Sequence, residues 1–360
     1  AMKAEVKNGL EDLYADYLMV STGPCTATGL SKLSTGKISH DRITRLLNSD
    51  RFNSKEVWQR VKPFIREIEN SSGCLVIDDS IQEKPYTDES ALICWHFDHT
   101  KKRSVKGVNF ISASYCYEGG SLPVVVEFVR KPIIVTDKKT GKTKRKGEKN
   151  KNGLHRELLR IARDNGVNFG YVLNDIWFSS SENMMYVKND IRANFVMAIK
   201  GNRKVALSHE DKLQGNYVKI GALELEPCSI LQVWFEQVDF PVSLTRQVFK
   251  NEDGSQGILY LVCSGLNLTY EQITAIYQKR WKVEEYHKSV KSNASFAKSP
   301  TKVEITQLGH FYASIIAYVK YEVLKFRHGS NHFAIKTILY MNALKAAYEQ
   351  LKQYDTIPVF

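Results

Sequence analysis

Five side chains that can bind a phosphodiester or a metal ion lie at helical spacing in the last third of the chain: Tyr277, Arg280, Glu284, Lys288 and Lys291. At 100° per residue they project within an arc of about 80° on one helix face. That face would span roughly 21 Å, which is long enough to run beside several nucleotides. A carboxylate among cations suits a metal ion that meets a phosphate backbone. The alternative is a solvated face stabilised by Glu–Lys pairs.

Further acidic residues follow two apolar runs that predict buried strands. Asp78 and Asp79 come directly after residues 74–77, and Asp175 follows residues 171–174. Adjacent strand residues point to opposite faces, so Asp78 and Asp79 cannot be equivalent ligands. Converging carboxylates repel one another unless a cation binds them, and Mg²⁺ prefers oxygen ligands. Capping of a turn or helix is the alternative role of each aspartate.

The helix positions match a known signature. Tyr277, Arg280, Glu284 and Lys291, separated by two, three and six residues, resemble the YREK signature of the insertion-sequence-four type of bacterial DDE transposases. The resemblance implies that Glu284 is the third catalytic acid. It also implies that the tyrosine, the arginine and the lysine hold phosphate groups of DNA, and Lys288 belongs to the same predicted DNA-binding face.

The same resemblance implies an aspartate after the first core strand and another after the fourth. The family pattern is an acid, the catalytic aspartate and a small hydroxyl residue, which Asp79 matches better than Asp78. Asp79, Asp175 and Glu284 are therefore the predicted catalytic and metal-binding residues, with Mg²⁺ as cofactor and Mn²⁺ as its substitute. Two such ions about 3.5–4 Å apart stabilise both the attacking and the leaving oxygen of a phosphoryl displacement.

The activity implied by the resemblance is cut-and-paste DNA transposition. A nick at a transposon end frees a 3′-OH, which forms a hairpin on the opposite strand before transfer into target DNA. The implied partners are double-stranded DNA, with terminal inverted repeats and a target, and a second copy of the chain in a synaptic complex. A flipped base would stack on Trp234, for which core packing is the alternative. The competing functions are a metal-dependent nuclease that does not join DNA and a non-catalytic, domesticated DNA-binding protein.

The predicted elements place these residues in an α/β protein with an RNase H-like mixed sheet flanked by helices. Residues 269–291 give the longest helix pattern and predict one continuous helix, which opens with a capping box of Thr269 and Gln272. The predicted regions are a helical DNA-binding region (1–70), the first part of the core (71–204), a β-rich insertion (205–265), the core helix with the third acid (266–300) and a helical C-terminal region (301–360).

A helix-turn-helix pattern lies within the N-terminal region. Leu30 and Leu33 are predicted to face a core, and Ser39 begins a second helix. That helix carries Arg42 and Arg45, which could enter a major groove. Plain helical packing is the alternative.

The formal charge of +12 favours a polyanionic partner. Residues 138–151 hold eight basic residues and one acid, and predict a DNA-contacting loop through Lys144, Arg145 and Lys146. A solvated mobile loop is the alternative. Apolar runs are too short for a membrane span and no signal core is present, so we expect a cytoplasmic, nucleoid-associated bacterial protein without a membrane partner.

Two smaller patterns yield structural predictions. The six cysteines include no pair separated by two residues, and several lie in apolar runs. They are predicted to be buried thiols in a reducing cytoplasm. Residues 95–99 contain two histidines but no further ligand at metal-binding spacing, so they predict a structural or DNA-facing loop.

Overall fold

The structure is a computed structural model and describes residues 9–136, 138, 141–250 and 253–355. The helices are α1 (Leu10–Val20), α2 (Ala27–Leu33), α3 (His40–Leu47), α4 (Ser54–Ile68), α5 (Lys151–Asp164), α6 (Ser181–Met185), α7 (His209–Gln214), α8 (Tyr270–Gln278), α9 (Trp281–Ser292), α10 (Glu304–His328) and α11 (His332–Asp355). The strands are β1 (Cys74–Glu83), β2 (Cys94–Asp98), β3 (Arg103–Tyr117), β4 (Gly120–Phe128), β5 (Ile133–Thr136), β6 (Thr143–Lys146), β7 (Tyr171–Asn174), β8 (Asn194–Ile199), β9 (Lys204–Val205), β10 (Val218–Lys219), β11 (Ile230–Val233), β12 (Val242–Lys250) and β13 (Gln256–Cys263).

The chain divides into two compact units, each assembled from separate stretches of sequence. The first comprises residues 1–60, 82–108 and 285–360, and the second comprises residues 61–81 and 109–284. Within the described residues, no helix combines the length and apolar character that a membrane span needs.

The large sheet has nine strands in the order β11-β12-β13-β8-β7-β1-β3-β2, with β4 also paired to β3. β7 runs parallel to both β1 and β8, whereas β3–β4 and β8–β13 are antiparallel pairs. The predicted fold class, a mixed sheet flanked by helices, is confirmed. The central order β4-β3-β1-β7-β8 is consistent with an RNase H-like core.

The central strands form because their residues are apolar on both faces. Leu75, Val76 and Ile77 of β1 are fully buried, as are Val172 and Leu173 of β7. Such continuous runs are typical of parallel strands covered on both sides. In the second unit, α5 packs on β4 and α8 packs on β8. The polar ends of β1 and β7 are therefore the places where side chains leave the core.

The residues predicted as a β-rich insertion, 205–265, contribute β11, β12 and β13 to the large sheet. Each pairs antiparallel with its neighbour, and β13 joins them to β8. β9 and β10 form a separate two-stranded sheet, and a bridge between Ala206 and Trp234 links that sheet to the end of β11.

The basic segment is a hairpin where the sequence predicted a loop. β6 contains Lys144, Arg145 and Lys146 and pairs antiparallel with β5. Neighbouring strand residues alternate in direction, so the two lysines are exposed while Arg145 is half-buried and donates to the Lys131 carbonyl at 3.5 Å. All four residues of β5 are β-branched, and such residues favour pairing as a strand. Residues 139 and 140 of this segment lie outside the described residues.

The predicted helix-turn-helix is present as α2 and α3, which pack against each other. Ser39 caps α3 by accepting from the Arg42 amide, and the side chains of Arg42 and Arg45 are exposed. Leu30 is buried, as predicted. The prediction for Leu33 is wrong, because it is 62% exposed at the end of a helix of seven residues that buries only Leu30.

The first unit is held together around α10, which packs on α1 and α3. His310 on α10 is buried and accepts the Tyr14 hydroxyl at Nδ1 (2.9 Å), while Nε2 donates to the Ser295 carbonyl (3.0 Å). Burial lowers the pKa of His310 to about 4, so the ring is neutral, as this pattern of one acceptor and one donor requires. The contact fixes α1 against α10.

Two predictions about smaller features are corrected. Residues 95–99 were predicted as a loop, but β2 occupies most of this stretch. Cys94 and His96 are buried and Trp95 and Phe97 are exposed, the alternation that favours a strand. Five of the six cysteines are buried and none forms a disulfide, whereas Cys228 is exposed in a turn with a positive φ of 64°.

Gly309 provides a test of the α3–α10 packing. A Cβ there would lie 2.5 Å from the Leu47 carbonyl oxygen, a backbone atom that cannot rotate away. We expect Gly309→Ala to destabilise the protein by roughly 1–3 kcal/mol, the usual range for overpacking, measured as a lower thermal midpoint. Gly153→Ala in α5, whose Cβ would lie 3.4 Å from the nearest atom, is the control and should leave the midpoint unchanged or higher. Equal midpoints for both variants would contradict the close packing.

Candidate metal centre

The first acidic pair lies where β1 leaves the core. Asp78 is buried and Asp79 is partly exposed, and as neighbours on a strand they point in opposite directions. The two carboxylates therefore have different surroundings, although the Asp79 amide donates to Asp78 Oδ1 at 2.9 Å.

Asp79 is surrounded by hydrogen-bond donors. Its Oδ2 accepts Asn109 Nδ2 from β3 at 2.8 Å and Lys151 Nζ from the start of α5 at 2.7 Å. Asn109 is fully buried, so it holds the carboxylate in one position. Lys151 neutralises the charge of Asp79 without any added ion.

Asp78 lies beside the second aspartate because of strand register. β1 and β7 pair in parallel up to Ile77 and Asn174, so Asp78 and Asp175 are the next residues at the same edge of the sheet. Asp175 Oδ1 caps the following 3₁₀ turn by accepting the Trp177 amide at 2.9 Å. Asp175 can therefore cap the turn through Oδ1 and also belong to the group of acids at this edge of the sheet.

Glu284 completes the acidic group. One of its carboxylate oxygens lies within 4.8 Å of a carboxylate oxygen of Asp78. Arg280 Nη1 lies 3.2 Å from Glu284 Oε1 and 3.9 Å from Asp78 Oδ2. Arg280 therefore bridges the two acids from one turn before Glu284.

The helix that carries Arg280 and Glu284 is not continuous. The prediction of one helix over 269–291 is wrong, because α8 ends at Gln278 and α9 begins at Trp281. The connecting amides, including those of Lys279 and Arg280, bond to carbonyls three residues earlier, which tightens the chain into a 3₁₀ turn. The predicted capping box of Thr269 and Gln272 is confirmed at the start of α8. Tyr277 consequently belongs to a different helix from Glu284.

Electrostatics at the site favour a bound cation. Burial raises the pKa of Asp78 well above its usual range, and the charges of Asp175, Asp79 and Glu284 raise it further, against an opposing effect of Arg280. Burial likewise raises the pKa of Asp175, while the Trp177 amide partly offsets the change. Hard carboxylate oxygens that repel one another form the donor set that Mg²⁺ or Mn²⁺ prefers. The residues present therefore fit a divalent metal.

The other residues of the signature differ in exposure. Tyr277 is buried, burial raises its pKa to about 12, and the Arg280 guanidinium lies 5.8 Å from the ring centroid. Lys288 is exposed on α9 one turn after Glu284, and Lys291 is half-buried near the end of the same helix. Trp234 is half-buried, with the His209 ring at 4.9 Å and Lys212 Nζ at 5.4 Å from its ring.

The sequence patterns missed three residues around the acids. Asn109 and Lys151 contact Asp79, and they lie 30 and 72 residues away from it in sequence. Trp177 follows Asp175 by two residues, is 49% exposed and has Lys200 Nζ 4.5 Å from its ring. Only the Asp-x-Trp spacing was a sequence signal, because the other contacts depend on the fold.

Asp78→Asn tests the repulsion among the acids. Because the folded protein raises the pKa of Asp78, ionisation is less favourable in the folded than in the unfolded state, and the charge lowers stability above the unfolded pKa of about 3.9. In EDTA at neutral pH we expect the variant to melt roughly 1–2 °C higher, as about 1 kcal/mol would produce in a chain of this length. Millimolar Mn²⁺ should raise the midpoint of the wild type but not of the variant.

The control is Asp164→Asn, which removes an exposed carboxylate paired with Arg160 at 2.6 Å. It should keep the Mn²⁺ response and show no gain in EDTA. A lower midpoint for Asp78→Asn in EDTA, or a retained Mn²⁺ response, would contradict the assignment of Asp78 to a metal centre.

The sequence matches the profile of the family described as DDE superfamily endonuclease over residues 7–217, a span that includes Asp78, Asp79 and Asp175 and ends before Glu284. A chain of the solved Drosophila P element transposase strand transfer complex is similar over 94% of this chain and 85% of that chain, at 7% identity and a TM-score of 0.27. The search of curated proteins finds no match. Since the family match covers more than half of the chain, the protein belongs to the DDE superfamily endonucleases.

Proposed function

We propose that this endonuclease is a cut-and-paste DNA transposase of the YREK-signature branch, acting at the nucleoid of a bacterial cell. The observation that supports it most is the convergence of three acids from separate elements. Parallel register brings Asp78 next to Asp175, and Glu284 approaches Asp78 within 4.8 Å. Three such acids are what metal-dependent phosphoryl transfer on DNA requires.

The proposed metal ligands are Asp78, Asp175 and Glu284, with Mg²⁺ as the ion and Mn²⁺ as its substitute. The family pattern and the effect of the Asp79 charge on the pKa of Asp175 favour Asp79 as the first acid, whereas the register and the raised pKa of Asp78 favour Asp78. When bound, two divalent ions would stabilise the attacking and leaving oxygens of an in-line displacement. Asp79 would then act as a positioning residue, held by Asn109 and Lys151.

The proposed role of Arg280 follows from its position between the acids and the aromatic rings. Its guanidinium lies near Glu284 and within 5.8 Å of the Tyr277 ring centroid. Arginine binds phosphate with two parallel donors, so Arg280 would hold the scissile strand beside the metal ligands. Tyr277 would fix the guanidinium rather than reach DNA itself, because it is buried. Lys288 and Lys291 would contact phosphates further along the strand.

The proposed reaction begins with cleavage at a transposon end, which frees a 3′-OH. That hydroxyl attacks the opposite strand to give a hairpin. After the hairpin is reopened, the 3′-OH end is joined to target DNA. Terminal inverted repeats and target DNA are therefore the proposed substrates, with two chains in the synaptic complex. Trp234 is retained as the proposed base-stacking residue, and Arg42 and Arg45 on α3 as proposed groove contacts.

Glu284→Gln tests the catalytic proposal in cells. With the native flanks of the coding region as donor, we expect excision by the wild type and at least a thousandfold loss in the variant, because an amide binds the metal poorly. Glu285→Gln is the matched control, since Glu285 is exposed on the same helix but projects about 100° away from Glu284. Excision is scored by amplification across the donor junction.

The joining step separates a transposase from a nuclease that only cuts. A 3′-OH end recovered from the excision products and incubated with purified protein, Mg²⁺ and a plasmid should be joined to that plasmid. Cleavage without joining would support the nuclease, and binding of the flanks with neither step would support a non-catalytic DNA-binding protein.

Lys144, Arg145 and Lys146 provide a test of DNA binding by the β5–β6 hairpin. Replacing all three by Gln should weaken binding to duplex DNA and reduce the slope of log affinity against log salt by about 0.9 for each phosphate that the variant no longer neutralises. The control replaces Lys55 and Lys62, two exposed lysines of α4, which should change the slope little. Fluorescence anisotropy across a salt series measures both, and equal changes of slope per charge removed would argue against DNA binding by the hairpin.

A further inference from the structure

A fully buried histidine of the second unit lies against the segment that carries Asp175. His155 on α5 has no solvent exposure, and its Nε2 lies 3.1 Å from Oδ1 of Asn174, the last residue of β7. Its ring also stacks on Phe178, with the ring centroids 5.5 Å apart and the planes inclined by 23°. The imidazole therefore contacts the residues at both ends of segment 174–178.

The hydrogen bonds of Asn174 determine which nitrogen of His155 carries the proton. Asn174 Nδ2 lies 3.5 Å from the Phe178 carbonyl oxygen, and a carbonyl can only accept, which assigns the amide nitrogen to that side. Oδ1 of Asn174 therefore faces His155 and accepts its Nε2–H. Burial lowers the pKa of His155 to about 4, so the ring is neutral and donates from this one nitrogen.

This arrangement is unfavourable for a core residue that only fills space. His155 Nδ1 is buried and has no hydrogen-bond partner within the described residues. An unsatisfied polar atom of this kind costs about 1–3 kcal/mol, which an apolar side chain would avoid. Packing alone therefore does not account for an imidazole at this position, whereas a need for its donor to Asn174 does.

Segment 174–178 determines the direction of the Asp175 carboxylate. Asp175 Oδ1 accepts the Trp177 amide at 2.9 Å, and the Asp175 carbonyl accepts Ser179 Oγ at 2.8 Å. Burial raises the pKa of Asp175, and hydrogen bonds from the Trp177 amide and, more weakly, the Phe178 amide oppose this change. Because the Phe178 backbone is among these donors, contacts that fix Phe178 also fix the carboxylate.

Helix α5 brings two side chains to the acidic site from the same face. Lys151, which donates to Asp79 Oδ2 at 2.7 Å, lies four residues before His155, and residues at this interval are neighbours on a helix surface. The helix also packs on the 3₁₀ turn of residues 176–178. A single helix therefore holds both Asp79 and the segment that carries Asp175.

We propose that His155 is a positioning residue for Asp175, because its imidazole holds segment 174–178 so that the carboxylate is already in place when a divalent metal ion binds. The inference rests on the proposed function, in which Asp175 is a metal ligand. His155 acts through Asn174 and Phe178 rather than on the metal. Residues that orient metal ligands typically change metal affinity by about 10–100-fold when they are replaced.

Mn²⁺ binding to the full-length protein tests the inference. His155→Leu removes both the donor and the stacked ring, and it should weaken Mn²⁺ binding about tenfold, measured as free Mn²⁺ by electron paramagnetic resonance. His155→Gln retains a donor at the end of a side chain of similar length, and it should bind Mn²⁺ almost as tightly as the wild type. The turn persists in both variants, because Asn183 Nδ2 still donates to the Phe178 carbonyl at 2.8 Å.

His310→Leu is the matched control, because His310 is also fully buried and neutral but hydrogen-bonds to Tyr14 and Ser295. It should lower the thermal midpoint without weakening Mn²⁺ binding. Equal Mn²⁺ affinities of His155→Leu and His155→Gln, or an equal loss in His310→Leu, would overturn the positioning role and leave the metal centre intact. A wild type that binds no Mn²⁺ would overturn the metal centre itself, and the positioning role with it.

Discussion

The parallel pairing of β1 with β7 is the constraint on which the acidic site depends. Register aligns Ile77 with Asn174, so Asp78, where β1 leaves the core, is level with Asp175 at the carboxyl end of β7. The core beneath them cannot rearrange to separate the charges, because Ile77 and its neighbours are fully buried. Burial raises the pKa of both aspartates, and the charge of Asp175 raises that of Asp78 further, while the charge of Asp79 raises that of Asp175. The fold thereby maintains an arrangement of carboxylates that is unfavourable without a cation.

The positive groups around the site moderate this repulsion from two directions. Arg280 approaches Asp78 and Glu284 from the turn between α8 and α9, and Lys151 approaches Asp79 from the start of α5. The pKa of Asp78 nevertheless remains well above its usual range. Arg280 lies in the 3₁₀ turn that joins α8 to α9, and this turn places its guanidinium near both acids. The interruption of the helix is thus part of the site.

Some features could be predicted from local patterns because they depend on local forces. The capping box of Thr269 and Gln272, the Ser39 cap and the buried run of β1 follow from neighbouring residues alone. Other predictions failed where residue patterns do not determine backbone hydrogen bonding. The continuous helix over 269–291 was wrong because helix periodicity does not reveal a tightened turn, and the basic loop is a hairpin because β5 is available to pair with it.

The sequence by itself determined the charge balance, the buried runs of β1 and β7, and the Tyr-Arg-Glu-Lys spacing that indicates a DDE enzyme, since all of these reside in residue types and intervals along the chain. Only the tertiary structure aligned Ile77 with Asn174 and so set Asp78 level with Asp175, because strand register is a relation between segments about 97 residues apart. It likewise brought Asn109 and Lys151 to Asp79. Long-range pairing energies, rather than local propensities, fix those contacts.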